Sequence, residues 1–235
     1  MSQNKIAAIH QPDFLPYIGF FKKMHLADVF VYLDNIQFSR RGWTHRDKIK
    51  TKKGEQWINV NIKKADYHEQ IKNVKISYEH DWQSKSLNLI KENYKSSQYF
   101  DEIYPIVNKM FDFSPEHLID FNLSIIDTLR DLLEINNKII FSSELKITEK
   151  KNNLLVEILK KVKINTYLSG QGAKNYMEEK IFLRNNINVI YNNFTHPVYN
   201  QQFKDGNDKF IDNLSILDYL FNCGIQNVKN FLKNN

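Results

Sequence analysis

The stretch Lys5–Asp34, KIAAIHQPDFLPYIGFFKKMHLADVFVYLD, decides the fold class. Its apolar run Lys5–Ile9 stops at His10-Gln11-Pro12, and a second run, Val29–Leu33, stops at Asp34. Both read as buried strands, because they are short, apolar and bounded by polar or proline residues. Between them, Pro16–Leu26 spaces its apolar residues at helical intervals behind a proline suited to a first helical turn. Strand, loop, helix and strand in that order form a βαβ unit, which predicts a parallel sheet with a right-handed crossover.

Beyond this unit the pattern changes. Arg46–Thr51 and Glu55–Ile62 alternate polar and apolar residues around Lys52-Lys53-Gly54, which predicts a β-hairpin. Helices follow over Asp81–Ser96, Tyr99–Phe111 and Ser114–Glu134, the last with Ser114 as N-cap and Pro115 at the first helical position. The βα alternation then resumes with a strand Lys138–Phe141, a helix Asn152–Val162, a strand Asn165–Leu168, a helix Asn175–Arg184 and a strand Asn188–Tyr191. Two helices, Leu214–Phe221 and Ile225–Leu232, close the chain. The expectation is one α/β domain over residues 1–235: a mainly parallel sheet of βα units, Rossmann-like, with a β-hairpin and helical insertion over roughly residues 35–134.

Hydrophobic residues make up 42% of the 235 positions and charged residues 26%, which excludes a disordered chain. The single cysteine, Cys223, excludes an internal disulfide framework and a multi-cysteine zinc site. No H-x-x-x-H or H-E-x-x-H spacing supports a metal site. No stretch nears the roughly 20 apolar residues of a membrane span, and residues 1–13 lack a signal-peptide pattern, so the expected location is cytoplasmic. Arg40–Lys53 holds seven basic residues against Asp47 alone and so carries the whole net charge of +6. Such a cluster favours an anionic partner, phosphate above all; a solvated hairpin is the alternative.

Ligands of open parallel sheets bind beyond the carboxyl ends of the strands. The residues there are polar in every case: His10 and Gln11, then Asp34, Asn35 and Gln37, then Ser142, Ser143 and Glu144, then Ser169-Gly170-Gln171-Gly172, then Asn192, Asn193 and His196. Any one of them has an ordinary loop role; their joint placement on one rim makes the case. His10, held by Pro12 and Pro16, suits general acid/base work or phosphate contact, with helix capping as the structural alternative. The glycines after Ser169 can bring backbone amides to a phosphate at the start of a helix near Asn175, or form a plain tight turn. The chain has neither a P-loop, nor a full dinucleotide fingerprint, nor a G-x-S-x-G elbow. Trp43, Trp57 and Trp82 lie near or after the basic cluster, where aromatic rings stack on bases or sugars or simply pack.

The string Ile9–Trp57, together with Ser142-Ser143-Glu144-Leu145, Tyr167-Leu168-Ser169-Gly170, His196-Pro197-x-Tyr199 and Ser215-Ile216-Leu217-Asp218 through Asn222-Cys223-Gly224, resembles the WbqC-like family over nearly the full length. The resemblance implies a role in bacterial surface glycans, O-antigen or capsule. It implies an enzyme that transfers an acyl or aminoacyl group to a nucleotide-linked amino sugar, with tRNA as a conceivable aminoacyl donor. On that reading His10, His196 and Glu144 are the candidate catalytic residues. Gln11, Asp34, Gln37, Arg46, Lys50, Ser143, Ser169 and Gly170 bind substrate, Arg46 and Lys50 holding a diphosphate. No cofactor or metal is assigned. The opening also resembles, distantly, the H-x-G-H nucleotidyltransferases, which would bring ATP and magnesium, but Phe20 stands where the second histidine belongs. A non-catalytic scaffold of a glycan-assembly complex is the remaining alternative.

Overall fold

The short apolar runs form strands and pair side by side. In the computed structural model, which describes residues 5–203 and 209–234, the strands are β1 (Ile6–His10), β2 (Val29–Tyr32), β3 (Arg46–Thr51), β4 (Gly54–Asn59), β5 (Lys138–Phe141), β6 (Thr166–Ser169) and β7 (Asn188–Tyr191). The helices are α1 (Ile18–His25), α2 (Trp82–Tyr94), α3 (Phe100–Phe111), α4 (Leu118–Leu132), α5 (Lys151–Lys161), α6 (Glu179–Arg184) and α7 (Ile216–Asn234). The protein is therefore α/β, with a five-stranded parallel sheet in the order β5-β2-β1-β6-β7 and a separate antiparallel β3–β4 hairpin.

The chain divides into two compact units. The first comprises the residues up to Gln11, Lys22–Ile36 and Ile135–Thr195, and contains the whole parallel sheet. Its three inner strands, β2, β1 and β6, are buried runs rather than alternating ones, as a sheet covered on its faces requires. Ala7, Ile9, Val29, Val31 and Tyr167 of the sheet pack with Leu154, Ile158 and Leu159 of α5 and Phe182 of α6. Asp28 ties two strand starts together: its carboxylate accepts from Ile6 N at 2.7 Å and its carbonyl from Lys138 N at 3.1 Å.

The second unit comprises Pro12–Phe21, Gln37–Glu134 and His196 onward. It holds the hairpin, α2–α4 and α7 around an aromatic core in which Trp82, Phe111 and Phe121 lie 5.2–6.1 Å apart by ring centroid and Phe14 packs on both phenylalanines. Fully buried Asn122 of α4 donates to Pro12 O at 2.8 Å and Thr44 O at 2.7 Å, fixing two loops to one helix. The two closing helices run together as α7 across a break at Gly224, whose φ of 77° needs glycine and whose Cα lies so near the Tyr99 ring that a Cβ would clash.

Two expected helix starts move. Ser114-Pro115 does not cap α4; Glu116 O accepts from Ile76 N at 2.9 Å and Lys75 pairs with His117, so this segment is extended and α4 begins at Leu118. The helix expected from Asn175 begins at Glu179, because Gln171–Ala173 forms a 3-10 turn first.

Candidate functional site

The order of the parallel sheet determines where a ligand has room. From β1 the chain moves outward through β2 to β5, then returns to the other side of β1 to make β6 and β7. The strand order reverses between β1 and β6, and such a switch point leaves an opening at the carboxyl ends of the two strands. His10 ends β1 and buried Ser169 ends β6. Ala8 pairs with Leu168, so Gly170 follows at the level of His10. A Cβ built on Gly170 or Gly172 meets no atom within 4 Å, so the β6 side of the opening is clear. The expected phosphate cradle at a helix terminus is not formed, because α6 has only six residues and starts at Glu179. The loop turns on itself instead, Ala173 N donating to Gly170 O at 3.1 Å.

One buried lysine reaches this end of β1. Lys22 and Lys23, on the C-terminal half of α1, are 4% and 6% exposed. Lys23 Nζ donates to Ile9 O at 3.4 Å, which sets its ammonium one residue from His10. Burial, then the Lys23 charge, push the His10 pKa down to about 3, while a contact with the carbonyl of half-buried Gln11 acts in the other direction. His10 Nδ1 lies 3.1 Å from that carbonyl. A carbonyl only accepts, so Nδ1 carries the proton of the neutral ring and Nε2 carries the lone pair. Burial also lowers the pKa of Lys22. The arrangement is a neutral imidazole that burial and the adjacent Lys23 ammonium make weakly basic, with that ammonium placed to attract an anion.

Of the other expected residues in this unit, Asp34 is buried and structural: its Oδ1 accepts from Ser142 Oγ and from Ser143 N, both at 2.9 Å. Ser143 thus contributes its backbone to a turn. Glu144 is exposed in the 3-10 turn beyond edge strand β5. Two strand spacings, roughly 10 Å, separate β5 from β1.

Gln37, Arg46, Lys50 and His196 belong to the second unit. Gln37 Nε2 donates to Tyr67 O at 2.6 Å. Arg46 Nη2 donates to Arg41 O at 2.8 Å, and its guanidinium lies 4.2 Å from the centre of the Trp57 ring. His196 packs on Phe210 and Tyr199, its Nδ1 is 2.9 Å from Pro197 O, and burial lowers its pKa. Lys50 does not stand on the hairpin surface: it is 3% exposed, and its charge acts on Asp218. The expected pairing of Arg46 and Lys50 around a diphosphate is therefore not formed.

Asp218, fully buried in α7, is not legible as a site residue. It accepts from Tyr94 Oη, Tyr199 Oη and Gln201 Nε2, each at 2.8 Å. Burial raises its pKa against the opposing effect of these donors and Lys50. The same unit buries two further carboxylates, Asp13 and Asp47. Burial, followed by the Asp13 charge, holds the Asp47 pKa well above the usual range, although Lys48 N donates to its Oδ1. The visible signals are Lys22-Lys23 inside the apolar FFKKM and Asp218 inside ILDYLF; Tyr94 has none.

The fold and this end of the sheet define an open parallel α/β protein with a histidine and a buried lysine at its switch point. The chain belongs to the WbqC-like protein family, whose pattern matches residues 11–230. It is 27% identical over 224 residues to the uncharacterized protein Rv1507c of Mycobacterium tuberculosis, covering 94% of this chain and 95% of that one. No solved structure matches the chain. Among the described residues no helix is long and apolar enough to cross a membrane.

Proposed function

We propose that this chain is a transferase of bacterial surface-glycan assembly that moves an acyl or aminoacyl group onto a nucleotide-linked amino sugar held at the β1–β6 switch point. The observation that supports this reading is His10 at the end of β1 beside the buried Lys23 ammonium. The sugar nucleotide's phosphates lie against Lys23. The sugar amine attacks the donor's carbonyl carbon, the C–N bond forms, and the bond from that carbon to the leaving group breaks. The amine's proton passes to His10 Nε2 and from there to the leaving group. A phosphate beside Lys23 offsets the charge that lowers the His10 pKa, so substrate binding itself makes the histidine a better base.

The test is thermal denaturation with nucleotide-linked amino sugars, free nucleotides with and without magnesium, and acyl-CoA. A ligand at 100 times its dissociation constant adds about 2.7 kcal/mol to the native state. The expected result is stabilisation by a nucleotide sugar that is lost in Lys23→Gln, with transfer activity down roughly 100-fold or more in His10→Gln. Stabilisation by ATP with magnesium alone would replace this reading with nucleotidyl transfer, and silence across the series would favour the scaffold.

A further inference from the structure

The hairpin of the second unit presents an aromatic surface that the switch-point chemistry does not use. Lys48 pairs with Trp57 and Arg46 with Asn59, so these four side chains share one face of β3–β4. Trp57 is 39% exposed and Trp43 44%, with ring centroids 5.3 Å apart and planes inclined at 41°. Large exposed aromatics in contact with one another are uncommon outside binding surfaces. The pair is held in place: Trp43 O accepts from Phe14 N at 3.0 Å, and Arg46 bridges the Arg41 and Gly42 carbonyls while covering Trp57. Lys48 Nζ lies 5.0 Å from the Trp57 ring centre.

Charge around the pair is one-sided. Of the seven basic residues in Arg40–Lys53, only Lys50 turns inward, and the one acid, Asp47, is buried as well. Arg40, Arg41, Lys52 and Lys53 are exposed. Glu55 is already engaged by Lys48 at 2.6 Å. A neutral glycan gains nothing from such a field, and an acidic polysaccharide meets the indoles only with the C–H faces of its sugar rings, not with a flat π face. Single-stranded RNA uses both, phosphates on the cations and bases on the tryptophans.

We propose that the Trp43–Trp57 face binds a single-stranded segment of RNA. This binding does not rest on the switch-point reading. Its test is fluorescence anisotropy with a labelled single-stranded oligoribonucleotide of about 12 nucleotides, within the usual range of binding-site sizes, at roughly 50 and 200 mM salt. Affinity is expected to fall with salt and to drop about tenfold or more in Trp57→Ala and in Trp43→Ala, both surface changes, and binding is expected to quench tryptophan fluorescence. Heparin, a polyanion without bases, is the control, and its binding is expected to be unchanged by either substitution. Equal losses of RNA and heparin, RNA binding indifferent to both tryptophans, or no RNA binding at the lower salt would each overturn the proposal. A Trp57→Ala protein that keeps its thermal response to a nucleotide sugar separates this outcome from failure at the switch point.

Discussion

Each unit buries a lysine beside a titratable partner, but the partners differ in kind. In the second unit Lys50 acts on Asp218, an opposite charge that also takes three hydrogen bonds from Tyr94, Tyr199 and Gln201. In the first unit Lys23 acts on His10, a neutral base that its charge makes less basic. The Asp218 arrangement is internally complementary, and it joins α7 to α2, to β3 and to the loop at Tyr199. The His10 arrangement concentrates positive potential at a sheet edge where the opening between β1 and β6 receives ligands. Buried charge of the first kind organises a fold, and of the second kind prepares a site for an anion.

The comparison breaks most sharply at Asp218. Asp218→Ala leaves three donors, from Tyr94, Tyr199 and Gln201, without their acceptor. At about 1–3 kcal/mol for each unsatisfied buried group, the loss comes to about 3–5 kcal/mol, a large share of the roughly 5–15 kcal/mol that keeps a protein folded. At about 2–4 °C per kcal/mol for a chain of this size, scanning calorimetry should show the melting temperature down by some 6–20 °C. A loss under about 1 kcal/mol would mean that the network does not hold the second unit together. Tyr94→Phe is the milder version. It removes the donor to Asp218 Oδ2 and the hydroxyl that accepts from Lys50 N at 3.1 Å. A hydrogen bond to a charged group contributes about 1.5–3 kcal/mol, so its effect in denaturant titration should fall below that of Asp218→Ala.

What is legible in the sequence follows the range of the interactions involved. Lys138–Phe141 and Asn188–Tyr191 form strands at their expected bounds, because each is a short apolar run with its own local stops. The start of α4 differs because Ser114-Pro115-Glu116 is a sound local cap signal overruled by pairing with Lys75 and Ile76, some 40 residues earlier. Lys50 reads as a surface cation because alternation puts it on the face of Lys48. It is buried because Tyr94 and Gln202 reach its backbone, from 44 and 152 residues away. The candidate site divides the same way. His10 and Ser169 are visible as residues after strands, whereas Lys23 joins them only once α1 is set against β1.

The His10 half of the comparison is read through pH. Its pKa lies near 6.5 in the unfolded chain and at about 3 in the folded one. The unfolded state therefore binds more protons between these values, and stability falls as pH drops below about 6.5. In His10→Gln that component disappears. The wild type should lose up to about 1 kcal/mol more than the variant between pH 7.5 and pH 5.5, measured by urea denaturation; the burial of His10 is partial, which keeps the figure below the full linkage value. The His10 ring resonances should also stay fixed from pH 5 to 8 without ligand and begin to titrate when a phosphate-bearing ligand is bound. Titration near 6.5 in the free protein would remove the influence of Lys23.

Asp47 offers the smallest and most discriminating change. Burial and the neighbouring Asp13 keep its folded pKa well above that of the unfolded chain. The folded state then holds a proton that the unfolded state has released, so Asp47 costs stability as pH rises from about 4 through the folded pKa. An asparagine amide reproduces the protonated carboxyl, since its oxygen can still accept from Lys48 N as Asp47 Oδ1 does at 2.6 Å. Asp47→Asn should therefore match the wild type at pH 4 and exceed it at pH 7 by up to about 1 kcal/mol, or about 2–4 °C in melting temperature. Equal destabilisation at both pH values would show instead that the second unit needs the Asp47 carboxylate itself, and not its charge-free counterpart.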